Sequence, residues 1–179
     1  GAAIMANVEH KVSLISGIHD LLPNRTGGAI MQKNLEILGD IQYTQDEIDF
    51  ALDMQKANGK PLIGIDGKIR PLRETLESPG GGSTDVGDVS YNVPVVSLAA
   101  TTAPKGVPWH SWSVVASSGM SIGHKGMLHA AKALGMSMID IYKDKKLREE
   151  IKKEFDERIG DYDYDPYLNP GPPPIDYVD

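Results

Sequence analysis

The stretch from Gly80 to Lys132 constrains the fold of this chain more than any other. It opens with the glycine-rich turn Gly80-Gly81-Gly82-Ser83-Thr84-Asp85 and runs through the apolar segment Val93–Ala100. It then reaches a loop histidine in Pro108-Trp109-His110-Ser111-Trp112 and closes on the helix-like Ser121-Ile122-Gly123-His124-Lys125-Gly126-Met127. Turn, strand, loop and helix in that order are how α/β proteins bring polar groups to the carboxyl edge of a sheet, where ligands bind. The expectation is an α/β fold with any ligand site in this stretch.

The rest of the chain is read by periodicity. Gly1 to Ala6 is the tail of a helix or a remnant of cloning. Polar and apolar residues alternate from Glu9 towards Gly17, the pattern of a strand with one wet face. The turn Leu22-Pro23-Asn24-Arg25-Thr26 leads into a helical spacing from Ala29 to Leu38 that Gly39 ends, with Asn24 or Thr26 as its cap. Thr44-Gln45-Asp46-Glu47 is a capping box, and its helix stops near Asn58-Gly59. Residues 60–76, broken by Pro61, Gly64, Gly67 and Pro71, are irregular or a short hairpin. Val86 to Tyr91 starts a helical turn, and Val93–Ala100 is a core strand buried on both faces. A long helix from Ser121 to Ile141 covers the sheet. Asp144 caps a last helix, Lys145 to Arg158, with Leu147, Ile151 and Phe155 four apart under a charged surface. The tail holds five of the twelve prolines and is expected to be an extended arm packed on a neighbouring surface.

Charge and cysteine content narrow the chemistry. Of a net charge of −7, five aspartates lie beyond Gly160 (Asp161, Asp163, Asp165, Asp176 and Asp179) with no Lys or Arg beside them, so the body is near neutral. No basic patch marks a nucleic-acid binder or a juxtamembrane contact with anionic lipid. The longest apolar run is far short of the roughly 20 residues of a membrane span, and no basic region precedes the first apolar residues. Cysteine is absent, which removes disulfides, thiolate nucleophiles and Cys-ligated metals; any metal must rest on His and carboxylate. A cytoplasmic location fits.

Each candidate site residue has two readings. His110, flanked by two tryptophans, is a metal ligand or a loop histidine bonded to backbone. Asp85 and Asp88 are ligands or substrate contacts on one face of a turn, or caps at a helix start. The glycine turn can cradle an anion, yet it lacks the Lys-Ser/Thr ending of a phosphate loop. His124 and His129 are five apart, about 500° around a helix, and cannot chelate one ion. His10 and His19 receive no role. Ser111 has no nucleophile elbow around it.

Three runs carry a resemblance: Gly-Ser-Thr-Asp-Val-Gly-Asp-Val-Ser at 82–90, His110-Ser111-Trp112, and Ser-Ile-Gly-His-Lys-Gly-Met-Leu-His-Ala-Ala-Lys at 121–132. Together they resemble the C-terminal part of the dinuclear zinc amidohydrolases of the aminoacylase and carboxypeptidase family, in the branch of the p-aminobenzoyl-glutamate hydrolases. The segment from Lys11 through Thr26 is similar to the point where such chains leave an inserted lid (dimerisation) domain and re-enter the catalytic domain. The resemblance implies a three-layer α/β/α catalytic domain. It divides the chain into the end of the lid (1–20), the C-terminal part of the catalytic domain (21–159) and an acidic Pro/Tyr-rich arm (160–179).

The same resemblance implies hydrolysis of the amide bond of N-acyl or N-aminoacyl amino acids and other dipeptide-like small molecules, of the p-aminobenzoyl-glutamate kind. It implies two divalent ions, zinc or manganese, with His110 as one ligand. It places Ser83, Thr84 and Asp85 against substrate and gives His124 and Lys125 structural roles. The family's N-terminal histidine, bridging aspartate, Glu-Glu pair and further carboxylate are not in this chain. As a C-terminal fragment it is therefore expected to be inactive without the missing N-terminal part, and to form homo-oligomers through surfaces that part covers. The contrasting expectation is a non-catalytic binding or assembly module.

Overall fold

The computed structural model describes residues 1–12, 14–72, 82–168 and 171–172, and among these it contains seven helices. They are α1 (Ala2–Ala6), α2 (Arg25–Leu38), α3 (Gln45–Ala57), α4 (Val86–Ser90), α5 (Trp112–Ser118), α6 (Ser121–Lys143) and α7 (Lys145–Ile159). Local chemistry sets where they start. The Asn24 side chain accepts from the Gly27 amide, which extends α2 one turn before its first apolar residue. Thr44 and Glu47 close both bonds of the capping box at α3, and Asp144 accepts from the Leu147 amide at α7. No helix among the described residues is long and apolar enough to cross a membrane.

The expected α/β architecture is not what forms. The described residues contain no sheet, only one isolated parallel bridge between Pro23 and Val95. The described residues of Glu9–Gly17 form no strand and are largely exposed, so the expected strand with one wet face is not seen there. Val93–Ala100 forms no strand either: Pro94 removes a ladder donor, and among the described residues the segment pairs only through the single Pro23–Val95 bridge. Alternation specifies which side chains turn inward; a strand also needs a second backbone at pairing distance, which the local pattern does not supply. Val96 and Leu98 instead turn their side chains onto helices, while Ser97 and Ala99 face out.

Those helices make the core. Met31, Leu35 and Ala133 are buried together, with Leu38, Ile69, Val96 and Leu98 packed against them. Two glycines allow the close approach. A Cβ at Gly27 would collide with Val96, and one at Gly126 with the Thr101 carbonyl, so the chain from Val96 to Thr101 lies directly on α2 and α6. The α2–α6 seam is partly polar: Asn34 donates to Ser137 (3.0 Å) and to Asp140 (2.9 Å). At the other end of α2, Asn24 donates to the Ile151 carbonyl at 2.9 Å, tying α2 to α7.

Two carboxylates tie helices together: Glu154 of α7 at the start of α2, and Glu47 at the start of its own helix α3 against α6. Glu154 of α7 accepts from the Arg25 and Thr26 amides (2.8 and 2.7 Å), orphan donors at the start of α2. Burial raises its pKa, but the bonds from Thr26 and Arg25, with Arg158 beside them, outweigh this and hold it at about 2. Glu47, 7% exposed, accepts from Lys125 of α6 at 2.6 Å. Burial again pushes the carboxyl up, and bonds from Lys125, Ser121 and the Thr44 amide pull it down to about 2. Both groups have folded pKa values below their unfolded ones, so their stabilisation is complete above the ordinary value and lost as pH falls through the depressed one. Acid titration followed by far-UV circular dichroism should therefore show stability falling from pH 4.5 towards about 2. Glu47→Gln should flatten that fall; an unchanged acid profile would contradict the role given to Lys125.

Candidate functional site

The loop that carries His110 is anchored from α3. Gln55, fully buried, donates to the carbonyls of Gly64 and Lys105 (both 2.8 Å) and accepts from the amides of Ile63 and Gly64 (both 2.9 Å). Every polar atom of its side chain is satisfied, and the segment 105–107 leading to His110 hangs from it. On the other side, the Ser111 hydroxyl donates to the Pro108 carbonyl at 2.6 Å and pairs with the Ser113 hydroxyl at 2.7 Å. Ser113 and Ser117 are fully buried in α5, where Ser117 donates to the Ser113 carbonyl at 2.7 Å. The loop ends are fixed.

His110 sits between these anchors with φ 58°, in the left-handed region. That conformation costs a non-glycine residue on the order of 1 kcal/mol and is concentrated at functional positions. The residue is exposed, and among the described residues its ring makes no hydrogen bond, so both ring nitrogens are open to a ligand. Next to it lies a cleft of about 540 Å³ between the segments 66–71 and 97–107, floored by Met31 and Leu35 and reached by Trp109 and His129. His110 itself does not line this cleft.

Ser83, Thr84 and Asp85 are exposed in the turn before α4. Asp85 occupies the cap position without a side-chain bond, and Thr84 takes over, its hydroxyl accepting from the Val86 amide at 3.3 Å. Gly80 and Gly81, the first residues of that turn, lie outside the described residues. Asp88 does not share the outlook of Asp85. It turns to His19, which bonds it through Nδ1 at 2.6 Å and through its backbone amide at 3.3 Å. Those bonds, chiefly the one from the ring, hold the Asp88 carboxyl below its usual range.

His19 is the residue that sequence reading left without a role. It is 5% exposed, its Nε2 meets the Tyr162 hydroxyl at 2.7 Å, and its ring stacks on Tyr167 with centroids 4.3 Å apart. Tyr91 and Tyr164 pack on its edges, and Tyr91, bonded to Asp20 at 2.8 Å, has its hydroxyl pushed up to about 12. The described start of the acidic arm is thus clasped over α4 and the chain before α2. His19 fixes α4, and with it the end of the Ser83–Asp85 turn. The only signal in the sequence is the row of tyrosines at 162, 164 and 167.

Lys125 pairs with Glu47 and also donates to the Gln42 carbonyl at 2.9 Å, while His124 is exposed. Among the described residues no group of three or more His, Cys, Asp or Glu side chains converges to hold a metal. His110 by itself fits as one donor to a divalent ion and does not fit as a complete centre, which needs at least three protein donors.

No family model matches the sequence, and no solved structure matches it. The chain is similar to one of the subunits of the p-aminobenzoyl-glutamate hydrolase of Escherichia coli (strain K12), with 30% identity over 178 residues. That match covers 86% of this chain and 37% of the relative, so the chain spans less than two fifths of the curated protein it resembles.

Proposed function

We propose that this chain is the C-terminal part of a metal-dependent amidohydrolase that cleaves the amide bond of N-acyl or N-aminoacyl amino acids, p-aminobenzoyl-glutamate among them. The observation that carries this reading is the exposed imidazole of His110, held in a left-handed backbone between two anchored loop ends. Similarity to a hydrolase subunit over 86% of the chain supports it. In this reading residues 1–20 close a lid domain, 21–159 belong to the catalytic domain and 160–179 form the arm whose start clasps His19.

The division of labour follows from what the chain contains. His110 holds one of two divalent ions, zinc or manganese, and the loop anchored by Gln55 and Ser111 keeps its ring in place. Ser83, Thr84 and Asp85 present two hydroxyls and a carboxylate to substrate. The chemistry that a bound metal pair supplies is polarisation of the amide carbonyl and acidification of water. The remaining donors and the general base come from polypeptide outside this chain, so the chain alone does not hydrolyse.

The test assembles this chain with the polypeptide corresponding to the unmatched part of the relative. Release of p-aminobenzoate from p-aminobenzoyl-glutamate should appear only in the assembly, vanish with a chelator and return with zinc or manganese. Hydrolysis that survives chelation, or no hydrolysis of any acyl amino acid by a folded assembly, would refute the reading.

A further inference from the structure

We propose that the outward side of α6 is the interface between two copies of this chain, packed as an antiparallel helix pair about a two-fold axis. This interface does not depend on the hydrolase reading. Helix α6 buries Ile122, Gly123, Gly126, Ala133 and Ser137 against the rest of the chain. Its other side carries Met127, Leu128, Leu134, Met138, Ile139 and Tyr142, which are 41% to 85% exposed. At 100° per residue these six fall within an arc of about 140°, and no Asp, Glu, Lys or Arg of the helix lies in it. A solvated helix face carries charge, whereas depletion of charge with methionine and tyrosine in its place is the composition of an interface core. Two glycines of α6 have their reason inside the chain: a Cβ at Gly123 would strike the Ser118 backbone, and one at Gly126 the Thr101 carbonyl. Gly135 has none. It stands in the interior of the helix and within the same arc, where a Cβ would meet nothing within 4 Å, and glycine there weakens the helix relative to alanine. A backbone approaching closely from outside gives that glycine its use.

The stripe is complementary to itself, which singles out a second copy as the occupant. In an antiparallel pair whose two-fold axis crosses at the level of Ala133, Ala131 stands opposite Gly135 of the second copy, Leu128 opposite Met138 and Met127 opposite Ile139. Small residues meet at the centre, where the helix axes come closest, and long side chains interlock on either side. The area is also sufficient. The six large side chains expose on the order of 700 Å², within the roughly 600–1,000 Å² per partner that specific, stable interfaces bury. A dimer of this chain therefore covers the stripe without any further polypeptide.

Sedimentation of this chain over a concentration series should give a mass rising from 19.4 kDa towards twice that value. Leu128→Asp and Met138→Asp, at exposed positions that leave helical content unchanged, should each weaken self-association by about tenfold or more. Gly135→Leu separates docking from folding. At a dilution where the monomer prevails it should raise the melting temperature, since leucine is the better helix former, and it should still weaken the dimer by crowding its centre. Because the chain has no cysteine, a mixture of Ala131→Cys and Gly135→Cys should form a disulfide between the two variants under oxidised glutathione, faster than either variant does alone. A monomer at every concentration, a dimer indifferent to both aspartates, or cross-linking no faster in the mixture would each overturn the inference. So would a monomer that binds the polypeptide corresponding to the unmatched part of the relative and loses that binding with Met138→Asp, which gives the stripe to that partner.

Discussion

Gln55→Leu should destabilise the chain by about 3 kcal/mol. Leucine fills nearly the same space, so no cavity opens, and its burial returns roughly 1–2 kcal/mol. Against this, the Lys105 carbonyl and the Gly64 amide lose their partner, while the Gly64 carbonyl keeps only the Lys105 amide (3.2 Å) and the Ile63 amide only the Pro61 carbonyl (3.0 Å). Each orphaned group costs about 1–3 kcal/mol where water does not reach it. For a chain of this size the melting temperature should drop by roughly 6–12 °C, measured by thermal and urea unfolding. The loop running from Lys105 towards His110 should loosen with it. A loss under about 1 kcal/mol would mean that the four bonds exchange freely with water and do not organise the loop.

The second large effect concerns activity and not stability. In the assembled enzyme His110→Ala should lower kcat/KM by at least about a hundredfold, because removing even the hydrogen-bond partners of metal ligands costs about 10- to 100-fold. The fold should hardly notice, since the ring is exposed and bonds to nothing among the described residues. His110→Gly sharpens the contrast. With φ at 58° the position suits glycine better than histidine, so this variant should be as stable as the parent or more so, and equally inactive. Gain of stability with loss of activity is the mark of a side chain kept for chemistry. Loss of stability in both variants, with activity retained, would assign His110 to the fold.

What could be read from the sequence was what neighbouring residues decide among themselves. Thr44 and Glu47 cap α3 because the two partners stand three apart, and Asp144 and Asn24 do the same work at α7 and α2. Leu147 and Ile151, four apart, are both buried in α7 as the stripe requires. Helix α5 was illegible because Ser-Val-Val-Ala-Ser-Ser has poor helix propensity; its packing on α6 and the buried hydroxyls of Ser113 and Ser117 form it. The expected strands at 9–17 and 93–100 have the opposite explanation: the local pattern was present, and among the described residues a paired backbone was not, apart from the single Pro23–Val95 bridge. His19 was hidden by distance along the chain, with Asp88 69 residues away and Tyr162 143 residues away. The left-handed backbone and open ring of His110 were not legible, since both depend on anchors at Gln55 and Ser111.

The most direct test is a metal count on the assembled enzyme. Elemental analysis of the parent and of His110→Ala, each purified in zinc and dialysed alike, should find about two ions per assembly in the parent and about one in the variant. Equal counts in both, with the variant folded, would contradict the claim that His110 holds a metal.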